Sequence, residues 1–145
     1  FRGFLHRLFV EETTAKHMFQ GQAWLILGVP VTGGLLYAPE FDAMQRDVNA
    51  ANASTSSSSL RIDYAISREM TNDAGGKLYV QDVLRQHADE LFDKLEHGGA
   101  HIYFCGLKGM MPGILEALEQ VATSKGMDWK SKLSEYKAKK QWHVE

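Results

Sequence analysis

Short apolar runs alternate along the chain with longer stretches in which apolar residues recur every three or four positions. "FRGFLHRLFV" opens it with Phe1, Phe4, Leu5, Leu8 and Phe9 at helical spacing. This predicts the body of a helix whose cap lies before residue 1, so that the chain begins in mid-structure. "AWLILGV", Ala23 to Val29, is a continuous apolar run ending at Gly28–Pro30, which predicts a strand buried on both faces. "PEFDAMQRDVNAAN" carries Phe41, Met44, Val48 and Ala51 at helical spacing. "NASTSSSSL" is a low-complexity Ser-rich stretch and predicts a mobile loop. "LRIDYAIS" is rich in β-formers and predicts the next strand. "VQDVLRQHADELFDKLEHGG" reads as one helix with Val80, Val83, Leu84, His87, Leu91 and Leu95 on one face, stopped by Gly98–Gly99. "AHIYFCG" reads as a third buried strand. A helix follows in "LKGMMPGILEALEQVATSKG", with Met111, Leu115, Leu118 and Ala122 inward. "DWKSKLSEYKAKKQ" predicts a Lys-rich helix capped by Asp128, and "WHVE" an edge strand.

Strands and helices in strict alternation imply βαβ units: an α/β fold with a parallel sheet and helices on both faces. Ligands of such sheets bind outside the carboxyl ends of the strands. That rule selects three segments: "GVPVTGG" after the first strand, "SREMTNDAGGKLY" after the second and "CGLKGMM" after the third.

Composition narrows the reading only slightly. The 145 residues suit one ordinary domain, with 44% hydrophobic and 23% charged residues. A net charge of −2 offers no electrostatic case for nucleic acid. The single cysteine, Cys105, rules out an intrachain disulfide and a cysteine-built zinc site, and fits a reducing compartment. The six histidines lack metal-ligand spacing, so no metal is assigned. No apolar run approaches the roughly 20 residues that cross a bilayer.

Each strand end carries chemistry. Gly28, Gly33 and Gly34 would let a ligand approach the backbone, although the G-x-G-x-x-G fingerprint is absent and an ordinary turn reads as well. Ser67 and Arg68 fall where a dinucleotide fold faces the adenosine ribose. An acid at that place suits NAD, and an arginine suits the 2′-phosphate of NADP. Lys77 and Tyr79 project to one side of an extended segment and could add a second cation and a stacking surface for adenine. The alternative is a solvated polar loop with Tyr79 packed on the next helix. Cys105 precedes Gly106, Gly109 and a helix start suited to a phosphate or dinucleotide bridge, with Lys108 adding charge. Its commonest fate is that of a small buried apolar residue.

"AWLILGVP", "LLY", "SREMTN", "KLYVQD", "YFCGLKGM" and "QWHVE" together closely resemble plant-type ferredoxin–NADP reductase, and the Ser-rich loop leans towards an algal form. The resemblance covers essentially the whole chain. It implies the Rossmann-like, carboxyl-terminal NADP-binding domain of that family over residues 1–145, with an FAD-binding barrel expected upstream. It also implies site roles. Ser67, Arg68, Lys77 and Tyr79 would hold the adenosine 2′-phosphate and stack on adenine, and Gln81 would contact the adenosine portion. Gly28, Val29 and Pro30 would lie beside the pyrophosphate and nicotinamide, and Gly106, Leu107 and Lys108 would line the dinucleotide path. Cys105 would orient the nicotinamide, and Glu145 would stabilise the charge-transfer arrangement and relay protons.

The implied cofactors are NADP and FAD. The implied partner is ferredoxin, with thylakoid membrane complexes beside it, and the implied location is the chloroplast. The lysines of the carboxyl-terminal helix could contribute to the ferredoxin-docking face, or form a solvated face only. Neither the flavin barrel nor the family's terminal tyrosine falls within residues 1–145, so the resemblance implies NADP binding by this segment without turnover by itself. Two rivals stay open: the matching module of a diflavin reductase, and a non-catalytic NADP-binding or docking domain.

Overall fold

Residues 1–54 and 57–145 are described by a computed structural model. The chain divides into two compact units, residues 1–78 and 79–145.

In the first unit, α1 (Arg2–Phe9) and α2 (Thr14–Met18) precede β1 (Gln22–Val29). A short 3-10 turn, Thr32–Gly34, leads into α3 (Ala38–Asn52), which returns the chain to β2 (Ser59–Ile66). The strands are parallel, in register from Gln22 opposite Ser59 to Val29 opposite Ile66. Phe41, Met44 and Val48 recur at helical spacing, so α3 turns one stripe inward. They cluster with Leu5, Leu25 and Leu60, and Ala23, Leu27 and Ile62 pack against them. Alternation along the strands puts this apolar set on one sheet face.

The other face explains why β1 is not buried on both sides as its sequence predicts, Leu25 being its only buried residue. There Trp24 lies opposite Arg61, whose guanidinium sits 4.2 Å from the indole centroid. The indole N–H donates to Asp63 at 2.6 Å, and Arg61 pairs with the same carboxylate at 2.8 Å. Two charged residues on this face of β2 keep it polar.

α1 is tied to α3 through Glu40, which accepts from Arg2 Nε at 3.0 Å and Nη2 at 2.9 Å and pairs with His6. Those donors, Arg2 first, hold the Glu40 carboxyl below the usual range. Asn49 of α3 brackets the backbone of Leu60, accepting its N–H at 3.0 Å and donating to its carbonyl at 2.9 Å. The Ser-rich stretch is partly absorbed into order. Asn52 ends α3 and its side chain bonds both Ser57 and Ser58, while Ser59 already opens β2. Thr55 and Ser56, also predicted as loop, lie outside the described residues.

In the second unit, the single helix predicted over 80–99 is two helices, α4 (Val80–Gln86) and α5 (Ala88–Glu96), broken at His87 with φ −115° and ψ 24°. Apolar spacing continues across the break, so the pattern could not show it. β3 (Ile102–Phe104) is followed by α6 (Met110–Ser124), α7 (Trp129–Ala138) and β4 (Trp142–Val144). β3 and β4 pair in parallel. β3 is shorter than predicted and only Phe104 in it is buried. α6 buries Ile114, Ala117, Leu118 and Ala122, so its inner stripe is displaced from the predicted Met111 and Leu115. The Asp128 side chain does not cap α7; it accepts from Ser131 Oγ at 2.5 Å instead.

Two polar knots hold this unit. Glu96 accepts from the buried Tyr136 hydroxyl and from Lys132 Nζ at 2.6 Å. Lys132 and Tyr136 hold Glu96 below the usual carboxylate range, and burial, then the carboxylate, pushes the Tyr136 phenol up. Buried Gln141 donates its amide to the carbonyls of Leu95 and Ala100, each at 2.9 Å. Its backbone N–H reaches Tyr136 O, and its carbonyl accepts from Ile102. This one residue therefore joins α5, α7 and the start of the β3–β4 pair.

Candidate functional site

Parallel pairing brings the ends of β1 and β2 side by side. The ladder runs one step beyond the strands: Ser67 N–H donates to Val29 O at 3.0 Å and Arg68 N–H to Pro30 O at 2.9 Å. Gly28, Val29, Pro30, Ser67 and Arg68 are thereby assembled at one strand end. Arg68 is exposed and makes no ion pair among the described residues.

The segment after Arg68 folds back on itself. Thr71 and Lys77 form an antiparallel bridge, and Leu78 N–H donates to Met70 O at 3.1 Å. Asn72 closes the loop. Its Oδ1 accepts from Ala74 and Gly76, its Nδ2 donates to Lys77 O, and its backbone N–H donates to Gly76 O. Gly75 sits in this loop at φ +80°, a conformation that disfavours any side chain. Leu78, 4% exposed, anchors the returning limb. Lys77 is left exposed and without an ion pair among the described residues. The loop is therefore ordered by its own side chain while its residues, Asn72 and Leu78 apart, stay exposed to solvent.

In the second unit, Tyr79 stands at the start of α4, 44% exposed, its N–H donating to Asp82 at 2.9 Å. Gln81 is directed towards α6: a Cβ added to Gly113 would lie 3.2 Å from its Nε2. β3 and β4 place Phe104 opposite Val144, and Glu145 N–H donates to Phe104 O at 3.1 Å. Cys105 and Glu145 therefore leave the two strands side by side. Cys105 is exposed, which corrects the reading of a small buried apolar residue; β3 ends at Phe104, so the thiol stands past the strand. Gly106, Leu107 and Lys108 follow it, all exposed. Met110 folds over Gly106, where a Cβ would come within 2.6 Å of its Cε.

Three features escape the linear pattern. Glu69 accepts both the backbone N–H of Thr32, at 2.8 Å, and the Thr32 hydroxyl. Those two donors, hydroxyl first, hold Glu69 below the usual carboxylate range. The partners are 37 residues apart, so no local spacing links them. The Asn72 closure had a signal, an Asx residue just before Gly75–Gly76. Thirdly, His101 and His143 meet at 3.5 Å, and Tyr103 stacks on His143 with centroids 4.3 Å apart. Among the described residues no group of three or more His, Cys, Asp or Glu side chains forms a metal site, and no helix is long and apolar enough to cross a membrane.

Parallel βα units whose carboxyl ends carry open glycines, a helix start and cations with no ion pair among the described residues define an α/β nucleotide-binding protein. Residues 1–116 match the model of the oxidoreductase NAD-binding domain. The chain belongs to that family. It is 50% identical to the chloroplastic root-type isozyme of ferredoxin–NADP reductase from Nicotiana tabacum, over all 145 residues and 36% of that relative. It is likewise 50% identical to the chloroplastic root isozyme from Oryza sativa subsp. japonica, over 36% of that relative. To the chloroplastic ferredoxin–NADP reductase of Chlamydomonas reinhardtii it is 45% identical, over 38% of that relative. The chain thus spans little more than a third of the length of these relatives, matching their carboxyl-terminal part.

Proposed function

We propose that this chain is the NADP-binding part of a chloroplast ferredoxin–NADP reductase, with residues 1–145 forming one functional domain and an FAD-binding barrel preceding it. The observation that carries the reading is the assembly of Arg68 and Ser67 against Gly28–Pro30, with Arg68 free of any carboxylate partner among the described residues. An unpaired guanidinium at the carboxyl end of the second strand suits the phosphate that distinguishes NADP from NAD. Lys77 adds a second charge, Ser67 a hydroxyl, and Tyr79, two residues further along the chain, a ring for adenine. Gln81 serves the adenosine portion. Gly28, Val29 and Pro30 admit the pyrophosphate and nicotinamide, and Gly106, Leu107 and Lys108 line the remaining path.

Cys105 and Glu145, adjacent across β3 and β4, are the pair assigned to the reacting end. Cys105 packs against the nicotinamide and sets its orientation; Glu145 stabilises the approach of the two rings and moves protons. Bound FAD would collect single electrons from two reduced ferredoxins and supply them as a hydride. The sum is two electrons, one proton and NADP⁺ giving NADPH. Ferredoxin is the protein partner in this reading, with thylakoid membrane complexes as further partners. The fit of the chain to the dinucleotide rests on its own donors; it assigns no residue to hold the flavin.

Calorimetry on the chain is the direct test. NADP⁺ binds at least tenfold more tightly than NAD⁺, the minimum for one charge-assisted phosphate contact; equal affinities would end the 2′-phosphate reading. In the longer flavin-containing protein, Cys105→Ser slows hydride transfer about tenfold or more, because small misplacement of reacting groups is costly. NADP⁺ affinity stays within about twofold, since the 2′-phosphate contacts lie elsewhere. Unchanged hydride transfer would remove Cys105 from the reacting end.

A further inference from the structure

We propose that Glu69 is a positioning residue that couples the loop after β1 to the loop after β2, so that both ends of the dinucleotide meet one preorganised surface. The inference rests on the NADP reading above and extends it to two residues that the reading does not use, Glu69 and Thr32.

Backbone pairing between the two loops stops at Arg68 and Pro30. Beyond that point each loop turns into its own local bonds. Gly34 N–H donates to Val31 O in one, and Glu69 and Met70 N–H both donate to Ile66 O in the other. Among the described residues, the further hydrogen bonds between these loops are the two that Glu69 accepts from Thr32. One carboxylate thus spans the gap between the segment assigned to the pyrophosphate and nicotinamide and the segment assigned to the 2′-phosphate.

The choice of partner is informative. Glu69 adjoins a free guanidinium in sequence, and an Arg–carboxylate pair is among the strongest pairings available to it. It pairs with two neutral donors of Thr32 instead and makes no ion pair among the described residues. Its oxygens are satisfied without neutralising Arg68. The same contact therefore does two things: it joins the loops, and it keeps a competing anion off the cation needed for phosphate. Preorganisation of this kind lowers the ordering cost of binding a long ligand more than that of a short one.

The test compares two ligands on the chain by calorimetry. NADP⁺ spans both loops, whereas 2′,5′-ADP carries the 2′-phosphate without the nicotinamide half. Glu69→Ala weakens NADP⁺ by about tenfold, the scale of one charge-assisted hydrogen bond, and 2′,5′-ADP by less than about twofold. Glu69→Gln restores NADP⁺ binding to within about threefold, because its amide can accept from Thr32 N–H and donate to the Thr32 hydroxyl. Adding Thr32→Val to Glu69→Ala costs nothing further, as for partners in one contact.

Equal losses for the two ligands, or no loss for either, overturn the coupling. So does a Glu69→Gln variant as weak as Glu69→Ala. A parent chain that binds 2′,5′-ADP no better than 5′-AMP overturns the 2′-phosphate reading itself, and the coupling with it. Retained preference for 2′,5′-ADP alongside equal losses overturns the coupling alone.

Discussion

Replacing Arg68 with alanine weakens NADP⁺ binding by about 10- to 100-fold and leaves NAD⁺ binding within about twofold. The factor follows from the roughly 1.5–3 kcal/mol of a hydrogen bond to a charged group, at about 1.4 kcal/mol per factor of ten. The side chain is exposed and has no carboxylate partner among the described residues, so its removal leaves no orphaned charge behind. The backbone at Arg68 is held by its own N–H to Pro30 O, which alanine keeps. The loss is therefore confined to the guanidinium. Arg68→Lys retains a charge without the planar fork and falls between parent and alanine. The effect shrinks with added salt, because the site is open to solvent. Isothermal titration of both dinucleotides against the three proteins decides the matter; a matching loss for NAD⁺ would show that Arg68 serves the common part of the ligand.

A larger effect on stability follows Leu60→Ala. Leu60 is 1% exposed, at the centre of the cluster formed by α1, α3 and the two strands of the first unit. Truncating a buried leucine costs about 2–5 kcal/mol, the upper part of that range applying where the surroundings cannot collapse. Here Asn49 grips the Leu60 backbone through both its N–H and its carbonyl, so the strand cannot move in to fill the space. The expected loss is about 4 kcal/mol, a large share of the 5–15 kcal/mol typical of a domain. Urea unfolding followed at the amides of β2 by hydrogen exchange measures it, and a loss below about 1 kcal/mol would mean that the site relaxes freely. Because β2 delivers Ser67 and Arg68, the variant also loses NADP⁺ binding in proportion to the unfolded fraction. Arg68→Ala, by contrast, leaves the unfolding midpoint unchanged.

Most elements were legible along the chain because their signals are local. The apolar run at 23–29 and the β-forming run at 60–67 coincide with β1 and β2 to within a residue. The spacing of Phe41, Met44 and Val48 gives the buried stripe of α3 as observed. Positions of candidate chemistry were legible for the same reason: once strands and helices alternate, the carboxyl ends of the strands are known, and Arg68 and Cys105 fall just after them.

The misreadings arose where local pattern and tertiary environment diverge. Helical periodicity runs unbroken from Val80 to Leu95, yet the backbone changes course at His87, between α4, which packs on α6, and α5. Asp128 has the right chemistry for a cap but a nearer hydroxyl in Ser131. Cys105 belongs to an apolar run, but β3 is only three residues long and the thiol lies beyond it.

Residue order alone determined the alternating α/β architecture and placed the cations and glycines at strand ends, since hydrophobic period and turn chemistry act over a few residues. Tertiary structure decided which of those residues stand together and what each side chain is free to do. Glu69 lies 37 residues from Thr32, and Glu96 40 from Tyr136. Partnerships at such distances leave no trace in local pattern. They form only when parallel strands and packed helices bring the groups within hydrogen-bonding reach, and through them Arg68 is left, among the described residues, unpaired beside a carboxylate that is already engaged.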